Sequence, residues 1–153
     1  MKTKVLLTIL IILLGLLSIG ALFGGIALMI SPGGDLLRMP RSNLGTAPFN
    51  DFFIPGLLLF SVLGLLPAIV IFGLIKKPGW KIFESMNLLK DMHWSWTFSF
   101  YVSYAVIIWI QVEMIFLQTV FWVHTFYIAY ALLITVILLL PRIRSFFKKA
   151  SLS

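Results

Sequence analysis

The 153-residue chain is 61% hydrophobic and only 11% charged, with a net charge of +7 and no cysteine. A soluble domain carries about 25% charged residues, so this composition, with a mean hydropathy of +1.08, makes lipid the solvent. The lack of cysteine excludes disulfides, thiol catalysis, Cys-ligated zinc and iron–sulfur clusters.

The first apolar run, Val5–Ile30, follows Lys2 and Lys4. Its start imitates a secretory signal, with Ser18-Ile19-Gly20-Ala21 in the place of a cleavage site. The run continues past those residues to Ile30, too far for a signal core, and is read as a retained span. Gly20 and Gly24 form a small-xxx-small spacing that lets a second helix approach closely. A partner chain or another span of this chain would use it equally well, and glycine is also simply frequent in membrane helices.

The segment Ser31–Asp51 is polar and broken by Pro32, Gly33, Gly34, Pro40, Gly45 and Pro48. Asn50 or Asp51 suits the N-cap of the next helix and Pro55 its first turn. A capped connector is one reading. The other is a lid folded over the bundle, because the segment is long for a helix–helix connection. The second span, Phe52–Ile75, carries Pro67 in its interior, which frees the carbonyl of Leu63 and is expected to bend the helix.

Lys76-Lys77-Pro78-Gly79 ends that span. From Trp80 to Leu89, apolar Trp80, Ile82, Phe83, Met86 and Leu89 alternate with polar residues, the pattern of a short helix in the headgroup region. Trp94 and Trp96 mark the interface at the next span. The run from Trp94 to Leu140 then contains a single charge, Glu113. As one helix it would reach roughly 70 Å, more than twice the hydrocarbon thickness, so it must fold back as a hairpin. Gln118-Thr119 is the polar pair nearest its middle and is the expected turn. Pro141 ends the fourth span and a basic tail follows.

The expected architecture is therefore an all-α, integral membrane four-helix bundle in a single domain, residues 1–153. Its spans are at about 5–30, 52–75, 96–116 and 121–140, with a short interfacial helix between the second and third. Of twelve Lys and Arg, only Arg38 and Arg41 lie in the first loop and none lies in the hairpin turn. By the positive-inside rule both termini and the middle loop are cytoplasmic. The basic clusters then meet anionic lipid headgroups, and nucleic acid is not an expected partner.

A turn at Gln118-Thr119 puts Glu113 and His124 at one height on neighbouring helices near the outer side, with Tyr127 on the His124 face. Glu113, His124, Tyr127 and Gln118 are thus the candidate ligand or proton site, since ionisable residues inside membranes are costly and often functional. A purely structural interhelical hydrogen bond is the competing explanation. His93 lies at the other end, so the two histidines cannot share a metal, and neither a metal nor another cofactor is expected. No HExxH, nucleophile elbow or phosphate loop occurs, which weighs against an enzyme. The expected function is a noncatalytic membrane component that meets lipid, a membrane-protein partner or a second copy. The alternative is a small-molecule carrier or lipid-modifying enzyme built on the outer cluster, and a ligand-sized cavity reaching Glu113 would favour that alternative.

The pieces Gly24-Gly25, Pro48-Phe49-Asn50-Asp51-Phe52-Phe53-Ile54-Pro55-Gly56, His93-Trp94-Ser95-Trp96 and Trp109-Ile110 resemble a group of small, uncharacterised four-span bacterial membrane proteins. The resemblance spans most of the chain and implies the bacterial cytoplasmic membrane, without supplying an activity. Members tend to have a proline just after the position of His124, where this chain has Thr125, so a role of His124 common to the group does not carry over.

The topology is tested by cysteine accessibility in the naturally cysteine-free chain. A probe at Asn43→Cys should be labelled from outside the cell, and labelling only from the cytoplasm would invert the assignment.

Overall fold

The computed structural model describes residues 2–45 and 47–150 of the chain. Four helices are long and apolar enough to cross a membrane: α1 (Thr3–Ile30), α2 (Phe53–Lys76), α4 (Trp94–Leu117) and α5 (Trp122–Leu139). Two short helices, α3 (Lys81–Ser85) and α6 (Pro141–Phe147), lie between α2 and α4 and after α5. The spans agree with the apolar runs to within two residues, and the hairpin turns at Gln118, whose left-handed φ of 48° ends α4. Helices dominate because a backbone in hydrocarbon must satisfy its own hydrogen bonds.

The four spans pack in a ring: α1 against α2 and α5, α4 against α5 and α2. One side of α1, Leu6, Leu10, Leu14, Leu17, Ser18, Ala21, Gly25 and Leu28, is buried at helical spacing. The opposite side, with Ile12, Leu16, Ile19 and Phe23, is exposed. Between lipid-solvated helices burial of apolar area gives little preference, so close packing and hydrogen bonds set the arrangement. The tightest backbone approach between α1 and α2 is at Gly25. A Cβ there would lie 2.7 Å from the backbone nitrogen of Phe60 and 2.8 Å from the carbonyl of Gly56. Of the glycine pair singled out from spacing, Gly24 faces the Leu59 side chain at 3.3 Å from where a Cβ would stand, whereas Gly20 meets nothing within 4 Å. The crossing thus falls one residue beyond Gly24.

Pro67 is accommodated by a wide turn. Residues Leu59–Leu65 form a π-helical stretch just before it, and the Ser18 hydroxyl donates to the Gly64 carbonyl at 2.7 Å. Such widened turns and neighbouring hydroxyls are how membrane helices absorb proline. A second hydrogen bond between spans runs from the Tyr130 hydroxyl to the Leu13 carbonyl at 2.6 Å, and a third from the Trp96 indole to the Leu138 carbonyl at 3.2 Å.

The short helix expected over Trp80–Leu89 is present only as α3, and its apolar residues divide. Trp80 stacks on Phe72 and Trp94, and Phe83 on Trp94; Phe83 packs against the core, whereas Trp80 stays partly exposed. Ile82, Met86 and Leu89 are exposed. The basic tail is likewise more ordered than its sequence suggested. Pro141, read as the end of a span, starts α6 at a position that suits proline, and Ile143 and Phe147 of α6 are buried in the main core.

Replacing Gly25 by valine should push α1 and α2 apart and cost about 1–3 kcal/mol, as overpacking does, whereas Gly20→Val should be near neutral. Unfolding in mixed detergent measures both, and equal effects would show that the crossing is elsewhere.

Candidate functional site

The polar segment between α1 and α2 folds back on the bundle. Two 3-10 turns, Asp35–Leu37 and Arg41–Leu44, shape it, and the Phe52 amide donates to the Pro32 carbonyl at 2.9 Å, joining its two ends. Closed loops of this kind are packed by their own side chains. Here Leu44 and Phe52 are buried against Leu28 of α1, and Phe49 meets Phe116 of α4 edge to face at 6.5 Å between centroids. Asp51 does serve the start of α2, its carboxylate accepting from the Phe53 amide at 2.9 Å. The segment is therefore both capped connector and roof.

Under that roof lies a pocket of about 560 Å³, within the range of ligand sites. Leu58, Leu59 and Val62 of α2 form one wall and Ala105, Trp109 and Val112 of α4 the other. The roof adds Leu37, Met39, Asn43, Leu44, Phe49 and Phe52. Its shape follows from how α2 meets its neighbours. At the end bearing the basic clusters α2 touches α4 closely: a Cβ on Gly73 would run into the Trp94 ring and come within 2.8 Å of the Ser95 Cβ. Toward the loop end α2 instead leans onto α1 at Gly25 and Gly56. The gap left between α2 and α4 is the pocket.

Glu113 is the one acidic or basic side chain on this wall, and Asn43 joins it as the second polar chain that is not aromatic. The side chain that interacts with Glu113 is Trp109, one turn back on α4, and no side-chain hydrogen bond from Glu113 to another helix is found among the described residues. His124 is buried on the first turn of α5, and its Nδ1 accepts from the Phe121 amide at 3.1 Å. No hydrogen bond or ion pair joins Glu113 to His124 among the described residues. This corrects the expected pair. The turn is where the sequence put it, but each group finds its partner on its own segment. Tyr127 packs beside Phe126 and Tyr130, Gln118 is exposed at the turn, and neither lines the pocket. Of the candidate residues only Glu113 reaches it. Asn43 and Trp109 were missed, and only the length of the loop hinted at the former.

A second polar cluster occupies the basic end, where α6 folds against the loop after α2. The His93 amide donates to the Phe147 carbonyl and the Lys149 amide to the Asp91 carbonyl, both at 2.8 Å. The Lys149 ammonium pairs with Glu84 at 2.5 Å, and Lys77 donates to the Phe146 carbonyl at 2.8 Å with its ammonium 3.5 Å from the Phe146 ring centre. Burial raises the Glu84 carboxyl, but hydrogen bonds from Lys149 and Asn87, and the Lys149 charge, outweigh it and hold the group below its ordinary value. Burial pushes the His93 imidazole down, and the Glu84 charge and the carbonyls of Lys77 and Pro78 do not reverse this. The cluster acts as a clasp between tail and loop. No three His, Cys, Asp or Glu converge among the described residues at either end.

Comparison with family models, with curated proteins and with solved structures returns no match. The site is therefore interpreted from its geometry.

The clasp should loosen in acid. Both Glu84 and His93 bind protons less readily folded than unfolded, so stability rises with pH across their titration. Protection of the His93 and Lys149 amides from hydrogen exchange should start to fall as the pH drops through 6.5 and fall further below 4.5. The Glu84 step should be worth about 1 kcal/mol or less for a partly exposed pair. Glu84→Gln should remove the lower step, and pH-independent protection would contradict the clasp.

Proposed function

We propose that this multi-pass membrane protein is a noncatalytic component that holds a lipid or lipid-like apolar molecule in the pocket between α2 and α4. The observation that carries this is the 560 Å³ pocket with one carboxyl group at its loop end. A ligand-sized cavity reaching Glu113 supports binding of a small molecule over a dry, closely packed interior. Its wall is almost wholly apolar, which suits a hydrocarbon chain better than a soluble metabolite. A single carboxyl beside an indole lacks the second group that acid–base or nucleophilic chemistry needs, which supports binding without turnover.

The basic clusters and the resemblance to bacterial four-span proteins support a place in the bacterial cytoplasmic membrane. The clasp would then lie on the cytoplasmic side and the roofed pocket in the outer half. Contact with a protein partner or a second copy is the second reading. Gly20 favours it, leaving a notch in the exposed side of α1 between Leu16 and Phe23.

Filling the cavity tests the first reading. Ala105 lines the pocket, so Ala105→Trp should leave the four-span fold intact and sharply reduce the lipid that co-purifies in mild detergent. Mass spectrometry of extracted lipid measures this. An unchanged lipid complement in a folded variant would count against the pocket as the binding site.

A further inference from the structure

Of the polar groups on the pocket wall Glu113 offers acceptors, Asn43 an acceptor and donors and Trp109 a donor, and no basic side chain lines the pocket. Among the described residues the Trp109 indole is the one side chain that interacts with the Glu113 carboxyl, which leaves most of the acceptor capacity of a carboxyl unused. Asn43 lines the same pocket, and its side chain makes no hydrogen bond among the described residues. The two basic residues of the roof, Arg38 and Arg41, are exposed and absent from the lining.

Resting on the proposed lipid-binding role, we infer that the ligand is an amphiphile whose apolar chain carries an amine, with the amine placed against Glu113. An ammonium offers three donors and a positive charge, which complements the carboxyl and the Asn43 amide oxygen together. A phosphate or carboxylate headgroup that carries no amine would meet like charge at Glu113 and no basic group on the wall. A hydroxyl would offer a single donor and no positive charge. The chain runs from Glu113 between Val62 and Val112, along the gap between α2 and α4. Both a membrane lipid such as phosphatidylethanolamine and a free single-chain amine have this chemistry.

The test uses purified full-length protein in mild detergent, with hexadecylamine, hexadecanol and hexadecanoic acid as probes of one chain length, followed by native mass spectrometry. The amine should be held about tenfold more tightly than the alcohol, the size of one charge-assisted hydrogen bond. Glu113→Gln should bring the amine down to the level of the alcohol, and an unchanged thermal unfolding midpoint would show that the variant is folded. In nanodiscs, preferential retention of phosphatidylethanolamine over phosphatidylcholine would identify a membrane lipid as the source. Retention of the single-chain amine alone would identify a free amphiphile. Equal binding of amine and alcohol by the wild type, or preference for the acid, would overturn the amine inference and leave the pocket in place. Failure of all three probes to bind would overturn both.

Discussion

Two close approaches of α2, at opposite ends and to different neighbours, determine the rest of this molecule. At the loop end Gly25 and Gly56 bring the α1 and α2 backbones together so closely that a Cβ on either would lie within 3 Å of atoms of the other helix. At the basic end Gly73 admits the Trp94 ring. A helix held to α1 along its length but to α4 chiefly at its basic end leaves a wedge between α2 and α4. Glycine is what permits it, because helix association in lipid depends on how closely backbones can approach. All eleven glycines precede Trp80, so the tight contacts belong to α1 and α2. The second hairpin, α4 and α5, is packed with larger side chains.

The wedge explains both ends of the protein. At the loop end the roof buries Leu44 and Phe52 over the opening, and Glu113 faces the resulting pocket in place of lipid. At the basic end the Trp94 ring that fills the narrow side also stacks with Trp80 and Phe83, and its indole donates to the Pro78 carbonyl at 2.7 Å. The loop after α2 is thereby pinned down, and the tail closes on it through Phe147, Lys148 and Lys149. Buried aromatic and charged groups here are each paired, as burial requires, apart from His93 Nε2 and Thr97 Oγ1, which have no partner among the described residues.

The spans, the hairpin and its turn were legible because hydropathy and bilayer thickness leave few alternatives once a run is too long for one crossing. Gln118 marked the turn for the simple reason that it is polar at mid-run. The site was legible in depth but not in direction. Spacing from the turn put Glu113 and His124 at one level, yet it could not tell that Glu113 would face α2 and the roof while His124 caps its own helix through Phe121. That outcome depends on where α2 leans, which is set by Gly25, Gly56 and Gly73 across long separations in sequence. Pro141 does end the fourth span, and the helix it starts was not foreseen for a local reason: the Ile143–Phe147 pair that docks α6 spans little more than one turn.

The central claim is that the space between α2 and α4 is a built pocket with an occupant. A single-particle map of the protein in lipid nanodiscs tests this most directly. It should contain elongated density between Val62 and Val112 that ends near Glu113, with α2 and α4 still apart at that level. A map in which Leu58 and Val62 pack directly on Trp109 and Val112, with no space between them, would contradict it.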